Sequence, residues 1–222
     1  MTELWGLTCA PASRLDEANE ALRFAGIHSD RRVFVTTQPH PIQRGEVDGL
    51  LVLFDSDEIN ISKWWNTGLD FIAERAGDTY DVAWISSDVR VSQETLNVVR
   101  GQMREHNTVM AGPDWHNAAS SHIIRRDTKN HDLSSRIPGV SFILRGESGI
   151  RADPEFRWWL ADDDLEWTCK VNGGTLLVSG VSLDHLTDGH PLDEPRYQAF
   201  QEDIVKFRDK WGDDPFHGQP PV

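Results

Sequence analysis

Tyr80-Asp81-Val82-Ala83-Trp84-Ile85-Ser86-Ser87-Asp88 is the stretch on which the fold turns. Residues 82–85 read as a strand, and they deliver Ser86, Ser87 and Asp88 to its carboxyl end. Working outward, the first 110 residues alternate strand-like and helix-like segments, which is the pattern of an α/β sheet. Residues 4–9 form the first expected strand. Pro11 and Ser13 then signal a helix with Leu15, Ala18, Leu22 and Ala25 on one face, stopped by Gly26. Residues 32–37 and 50–54 are the next strands, the latter apolar throughout, as a strand buried on both faces should be. From Trp65 the positions Leu69, Ile72, Ala73 and Ala76 make a helical stripe closed by Gly77. Ser92 caps a further helix carrying Leu96, Val99 and Met103.

Beyond a strand at residues 109–111, the pattern gives way to a polar segment, 113–135, of the kind that usually serves as a functional loop. Order resumes with strands at 140–145 and 175–181, separated by the acidic run Asp162-Asp163-Asp164. A final helix places Phe200, Ile204, Phe207 and Trp211 on a core-packing stripe.

The chain has 222 residues, with 22 Lys+Arg against 36 Asp+Glu and so a net charge of −14. That length suits a single domain able to bury a core without covalent staples. Cys9 and Cys169 lie far apart and outside any zinc spacing, which fits a reducing cytoplasm. No apolar run approaches the ~20 residues of a membrane span, and the acidic start does not resemble a secretory signal. The negative balance disfavours bulk binding of nucleic acid. Nine Trp, including Trp64-Trp65 and Trp158-Trp159, supply both core volume and flat faces on which a sugar or base can stack.

Ligands of open α/β sheets bind beyond the carboxyl ends of the strands. Three acidic groups stand there: Asp55 with Asp57, Asp88, and Asp162 to Asp164. Asp88 is placed either to hold a hard divalent cation or simply to cap the turn before Ser92. The triple acid is either the first turn of a helix, favoured by its dipole, or a set of mutually repelling carboxylates in which one is raised toward the working range of a general base. His185, past the strand at 175–181, is a further ligand candidate.

In this order the pieces resemble a GT-A-type glycosyltransferase, similar to the family 2 nucleotide-sugar transferases, over nearly the whole chain. Five segments carry the resemblance: Leu7 to Leu15 as the nucleotide-binding first strand and turn; Asn60 with Trp64-Trp65-Asn66-Thr67-Gly68 as an "N-x-G" helix start; Tyr80 to Val89 as the strand ending in a DxD metal motif; Gly139 to Arg145 through Asp162-Asp163-Asp164-Leu165 as the acceptor half with its catalytic-base motif; and Val181 to His185 with the last helix. The resemblance implies a mixed, mostly parallel Rossmann-like sheet flanked by helices in one domain, with residues 1–112 as the nucleotide-sugar half and 113–222 as the acceptor half.

It further implies transfer of one sugar from a nucleotide donor, a UDP-sugar foremost, to an unknown acceptor hydroxyl with inversion. Asp162 is the implied base, with Asp163 as the fallback. Asp88 and His185 would hold Mn²⁺ or Mg²⁺, while Thr8, Ala10, Gln38, Asn66, Ser86 and Ser87 would line the nucleotide sugar. Trp158 and Trp159 either stack on the acceptor or pack in the core. Residues 114–136 would form the acceptor-side loop. Departures from the family pattern are Ser86 in place of the first DxD acid, Thr36-Thr37-Gln38 in place of a uracil-pairing acid, and Ala161 before Asp162.

Two other classes compete. Residues 50–57 match the apolar-strand-then-DxD signature of haloacid-dehalogenase-type phosphatases, with Asp55 as nucleophile and Asp57 as acid. The reduced DxD also permits a catalytically silent, sugar-binding domain.

Overall fold

The computed structural model describes residues 2–36, 44–55, 59–114, 120–125, 136–186 and 194–212. Its strands, in chain order, are β1 (Glu3–Ala10), β2 (Arg32–Thr36), β3 (Arg44–Val47), β4 (Leu50–Phe54), β5 (Tyr80–Ile85), β6 (Val89–Arg90), β7 (Met110–Pro113), β8 (His122–Ile124), β9 (Ser141–Arg145), β10 (Thr175–Val178) and β11 (Asp184–His185). The helices are α1 (Leu15–Phe24), α2 (Ile61–Ala73), α3 (Gln93–Glu105), α4 (Ala161–Val171) and α5 (Glu194–Trp211).

Nine strands form one sheet in the order β3-β4-β2-β1-β5-β9-β7-β10-β8, and β6 pairs with β11 in a separate ribbon. β4, β2, β1 and β5 pair in parallel, as do β7 and β10, while β3, β9 and β8 run antiparallel to their neighbours. The sheet is thus mixed, with most strands pointing one way, as the resemblance implied.

β5 shows why that pattern was so legible. All six of its residues are buried. Val82 and Trp84 face a core completed by α2, α4 and α5, and Ala83 and Ile85 face the opposite core, built with α1 and α3. A strand covered by helices on both faces has no solvated side on which to place polar residues.

At the start of β5, Asp81 is wholly buried. Its carboxylate accepts from Arg100 Nε at 2.7 Å and from Arg104 Nε at 3.2 Å, and Arg104 pairs also with Glu147. This ion cluster ties β5 to α3 and to the turn after β9.

Several boundaries move for local reasons. α2 starts at Ile61, one turn before Trp65, because the Asn60 side chain accepts from Lys63 N at 3.0 Å and caps the helix. A 3-10 turn over Ala12–Arg14 precedes α1, which has no side-chain cap. Gly26 stops α1 with φ at 71°, a left-handed conformation that glycine adopts without strain. Ser92 caps α3 by accepting from Thr95 N at 3.1 Å.

The polar segment 113–135 is not wholly irregular: β8 lies within it, paired antiparallel to β10. A three-residue strand is too short for its alternation to register in the sequence, and the same holds for β3 and β6. Asp203, which on sequence reads as solvated helix charge, is instead fully buried. It accepts from Trp158 N at 2.9 Å and Arg157 N at 3.0 Å, so α5 holds the turn that leads into α4. No helix among the described residues is long and apolar enough to cross a membrane.

Candidate functional site

Asp88 follows β5 directly, in a turn where Ser86 N donates to Val140 O at 2.9 Å and Val89 N donates to Ser86 O at 3.0 Å. Ser87 and Asp88 are both buried. The ribbon of β6 and β11 then does what the sequence could only suggest. It pairs His185 with Val89, Leu186 N donates to Asp88 O at 2.9 Å, and His185 Nε2 comes to 3.6 Å from Asp88 Oδ2. Two residues far apart in the chain therefore stand side by side at the carboxyl end of β5. Among the described residues no group of three or more His, Cys, Asp and Glu side chains converges as a metal cage.

The triple acid occupies the first turn of α4, as the helix-start reading expected, and its three carboxylates have different surroundings. Asp164 is fully buried and turned toward α5, where Trp211 Nε1 donates to it at 2.8 Å and Lys210 Nζ lies at 2.9 Å. Asp163 is also buried and paired with Arg136, Nε to Oδ1 at 2.7 Å and Nη2 to Oδ2 at 2.8 Å.

Asp162 alone keeps an exposed fraction, 21% of its side chain, with Arg136 Nη2 at 3.5 Å. Burial pushes the Asp162 carboxyl above the ordinary carboxylate value, and Arg136 opposes the shift. Asp163 is pushed well above it, by burial first and by the neighbouring Asp162 and Glu166 carboxylates after that, against Arg136 and Lys170.

Gly139 connects the two halves. Its carbonyl accepts from Trp84 Nε1 at 2.8 Å, and its α-carbon lies so close to Asp162 that an added β-carbon would overlap the carboxylate. The next residue, Val140, accepts from Ser86. A single two-residue corner thus backs onto both the Asp88 turn and the Asp162 carboxylate.

The other expected residues fall as follows. Ala10 lies at the end of β1, beside Thr36 of β2. Thr8 is wholly buried within β1, and its Oγ1 has no hydrogen-bond partner among the described residues. Asn66 is committed to the backbone of Ala152, donating to its carbonyl at 2.8 Å and accepting from its amide at 3.0 Å. With Asn60 Nδ2 donating to Pro154 O at 2.8 Å and Ser62 Oγ to Phe156 O at 2.7 Å, the start of α2 holds the segment that leads to α4.

Trp158 meets Trp64 edge-on at 6.3 Å and lies under Arg196 at 4.9 Å, while Trp159 meets Phe200 at 5.8 Å. Both tryptophans are half-buried against the core. Gln38 and Asp57 lie outside the described residues, as do 115–119 and 126–135 of the expected acceptor loop. Asp55 caps β4, where its carboxylate accepts from the Thr67 hydroxyl and its amide donates to Thr36 O at 3.1 Å.

Arg136, Glu166 and Lys170 were not anticipated. No motif marks Arg136, and Glu166 and Lys170 resemble an ordinary helical i, i+4 pair until their burial is seen.

No family model matches the chain, and no curated protein does. Solved structures do. GalNAc-T7, solved with UDP, GalNAc and Mn²⁺, superposes with a TM-score of 0.62 at 10% identity, over 97% of this chain and 49% of that one. The fold is GT-A. S. aureus TarS residues 1–349, solved with UDP-GlcNAc, matches this GT-A chain with a TM-score of 0.56 at 13% identity, covering 94% of it and 67% of TarS 1–349. A longer S. aureus TarS structure gives 0.58 at 14% identity, covering 94% and 40%. The GT-A chain described here therefore spans about half of GalNAc-T7 and less of the longer TarS.

Proposed function

We propose that this GT-A protein is a glycosyltransferase that moves one sugar from a nucleoside-diphosphate donor, a UDP-sugar foremost, to an acceptor hydroxyl with inversion. The observation that carries the reading is the Gly139-Val140 corner. It brings Asp162, a carboxylate with raised proton affinity, to the same end of the sheet as the Asp88 and His185 pair. That GalNAc-T7 was solved with UDP and S. aureus TarS with UDP-GlcNAc supports the choice of donor.

In the proposed step the acceptor O–H gives its proton to an Asp162 carboxylate oxygen. The acceptor oxygen forms a bond to the anomeric carbon, and the bond from that carbon to the diphosphate oxygen breaks, its electron pair leaving with the nucleoside diphosphate. A positioned base contributes roughly 10²–10⁴-fold.

A carboxylate and an imidazole together suit a divalent cation whose other ligands are phosphate oxygens and water. Neighbouring ligands of an octahedral ion stand about 3 Å apart when each bond is near 2.1 Å, and the 3.6 Å separation of His185 and Asp88 is close to that span. Mn²⁺ or Mg²⁺ held there would supply charge neutralisation to the departing diphosphate. Ser86 leaves this pair without a second DxD carboxylate. With a net charge of −14, a chain that admits a diphosphate has a further use for a cation.

The GT-A fold does not support the phosphatase reading, in which Asp55, just after β4 and one strand from the sheet edge, would be the nucleophile. The experiment that tests the proposal offers the protein a panel of nucleotide sugars with Mn²⁺ or Mg²⁺ and follows nucleoside-diphosphate release. Release lost in Asp162→Asn and Asp88→Asn but kept in Asp55→Asn is expected. Binding of nucleotide sugar without turnover under every condition would instead identify a silent sugar-binding domain.

A further inference from the structure

The carboxylates of Asp162, Asp163 and Glu166 meet two cations, Arg136 and Lys170, along α4, and the cations are not shared evenly. Arg136 is drawn to Asp163, donating from Nη2 to Oδ2 at 2.8 Å and bringing Nε to 2.7 Å from Oδ1 as an ion-pair contact, and reaches Asp162 only at 3.5 Å. Lys170 Nζ pairs with Glu166 Oε1 at 3.1 Å, and Glu166 Oε2 also accepts from Ile137 N at 3.2 Å. Asp163, Glu166 and Lys170 are all buried.

Among the described residues, the charged group facing Asp162 is Arg136 from the segment before β9, while Asp163 faces Arg136, Asp162 and, from α4, Glu166 and Lys170. β10, packed against α4, brings no charge, and Asp164 faces Lys210 of α5, which also binds Asp153. Buried ion pairs are costly to desolvate and often add nothing to stability compared with apolar packing. Two of them beside a working carboxylate therefore call for a use.

We propose that Asp163 occupies Arg136 and so holds Asp162, the partly exposed carboxylate of the cluster, out of a tight ion pair and open to an acceptor hydroxyl. Asp163 is then a positioning residue that acts through Arg136. The inference rests on Asp162 being the base of the proposed reaction. Its physical logic is competition: a guanidinium fork matches one carboxylate bidentately, and whichever carboxylate takes the fork loses proton affinity, since an adjacent cation lowers a carboxyl pKa by roughly 1–3 units.

Two variants should act in opposite directions. Asp163→Asn releases Arg136 to Asp162, so the acid limb of the kcat/KM–pH profile should move to lower pH by about one unit or more, and kcat should fall with the weaker base. Arg136→Met removes the cation and should move the limb to higher pH, while Arg136→Lys should fall between Arg136→Met and wild type. The Asp162 carboxyl ¹³C titration, assigned with Asp162→Asn, reports the same shifts without turnover. It therefore separates failure of this inference from failure of the glycosyltransferase reading.

If Asp163→Asn destabilises the fold, Arg136→Lys and the wild-type titration still read the cluster. An Asp162 titration unmoved in Asp163→Asn and Arg136→Lys would overturn the proposal. So would turnover kept in Asp162→Asn but lost in Asp163→Asn, which would make Asp163 the base.

Discussion

Gly139 lies against the Asp162 carboxylate so closely that a β-carbon at residue 139 would overlap Asp162 Oδ2. The close approach follows from where residue 139 sits. Its carbonyl is pinned by Trp84 Nε1, and the following Val140 is hydrogen-bonded to Ser86, so the corner cannot retreat without breaking both bonds.

Gly139→Ala should therefore displace Asp162 rather than the corner. A misplacement of about 1 Å at a reacting group costs on the order of 10²-fold in rate. We expect a loss of that size in kcat, with the far-UV circular dichroism spectrum unchanged. An alanine variant with wild-type kcat would mean that Asp162 does not need this geometry.

The proposed donor site should respond to its two ligand residues and to metal removal alike. His185→Ala and Asp88→Ala should each weaken UDP binding in the presence of Mn²⁺ by about tenfold or more, the scale on which perturbing a metal site acts. Chelation with EDTA should do the same to the wild-type protein. Isothermal titration with UDP, with and without Mn²⁺, reads all three, and equal affinity throughout would remove the cation from the donor site.

The pH dependence carries a definite sign. Burial raises the Asp162 carboxyl above its ordinary value, so the group is protonated, and unable to accept the acceptor's proton, up to a higher pH than an exposed aspartate. If Asp162 is the base, kcat/KM of the wild-type protein should fall as pH is lowered through that raised value. The residual rate of Asp162→Asn should lack this limb.

Asp81 should matter for stability and not for chemistry. Its buried carboxylate compensates the guanidinium groups of Arg100 and Arg104, and removing one partner of a buried ion pair costs about 3 kcal/mol or more. Asp81→Asn should lower the urea midpoint accordingly, with kcat per folded molecule unchanged.

Asp203→Ala tests whether α5 holds the turn before α4. It leaves the Arg157 and Trp158 amides without their carboxylate acceptor, a loss of about 1–3 kcal/mol. Urea denaturation should show it. Because that turn leads into the Asp162 helix, kcat should fall as well.

The architecture was readable because it is written in local patterns. Buried parallel strands such as β4 and residues 82–85 of β5 are apolar throughout, and α3 carries its stripe and its Ser92 cap in consecutive residues. Asp88, His185 and Asp162 were legible as candidates because each falls just past a strand or at a helix start, where α/β folds place ligands. The short strands β3, β6, β8 and β11 were not, since two to four residues cannot display a period.

What the chain order could not supply is which groups meet. The contact of Asp88 with His185 depends on a ribbon of two-residue strands, and the division of Arg136 between Asp163 and Asp162 depends on burial that differs between adjacent helix positions. Asp203, Asp209 and Asp164 look alike in sequence, yet Asp203 and Asp164 are buried anchors and Asp209 is exposed. Local pattern fixes elements because their hydrogen bonds and apolar faces repeat over neighbouring residues. A site is an agreement among side chains brought together from distant segments, and its charges take their values only after packing has removed the water between them.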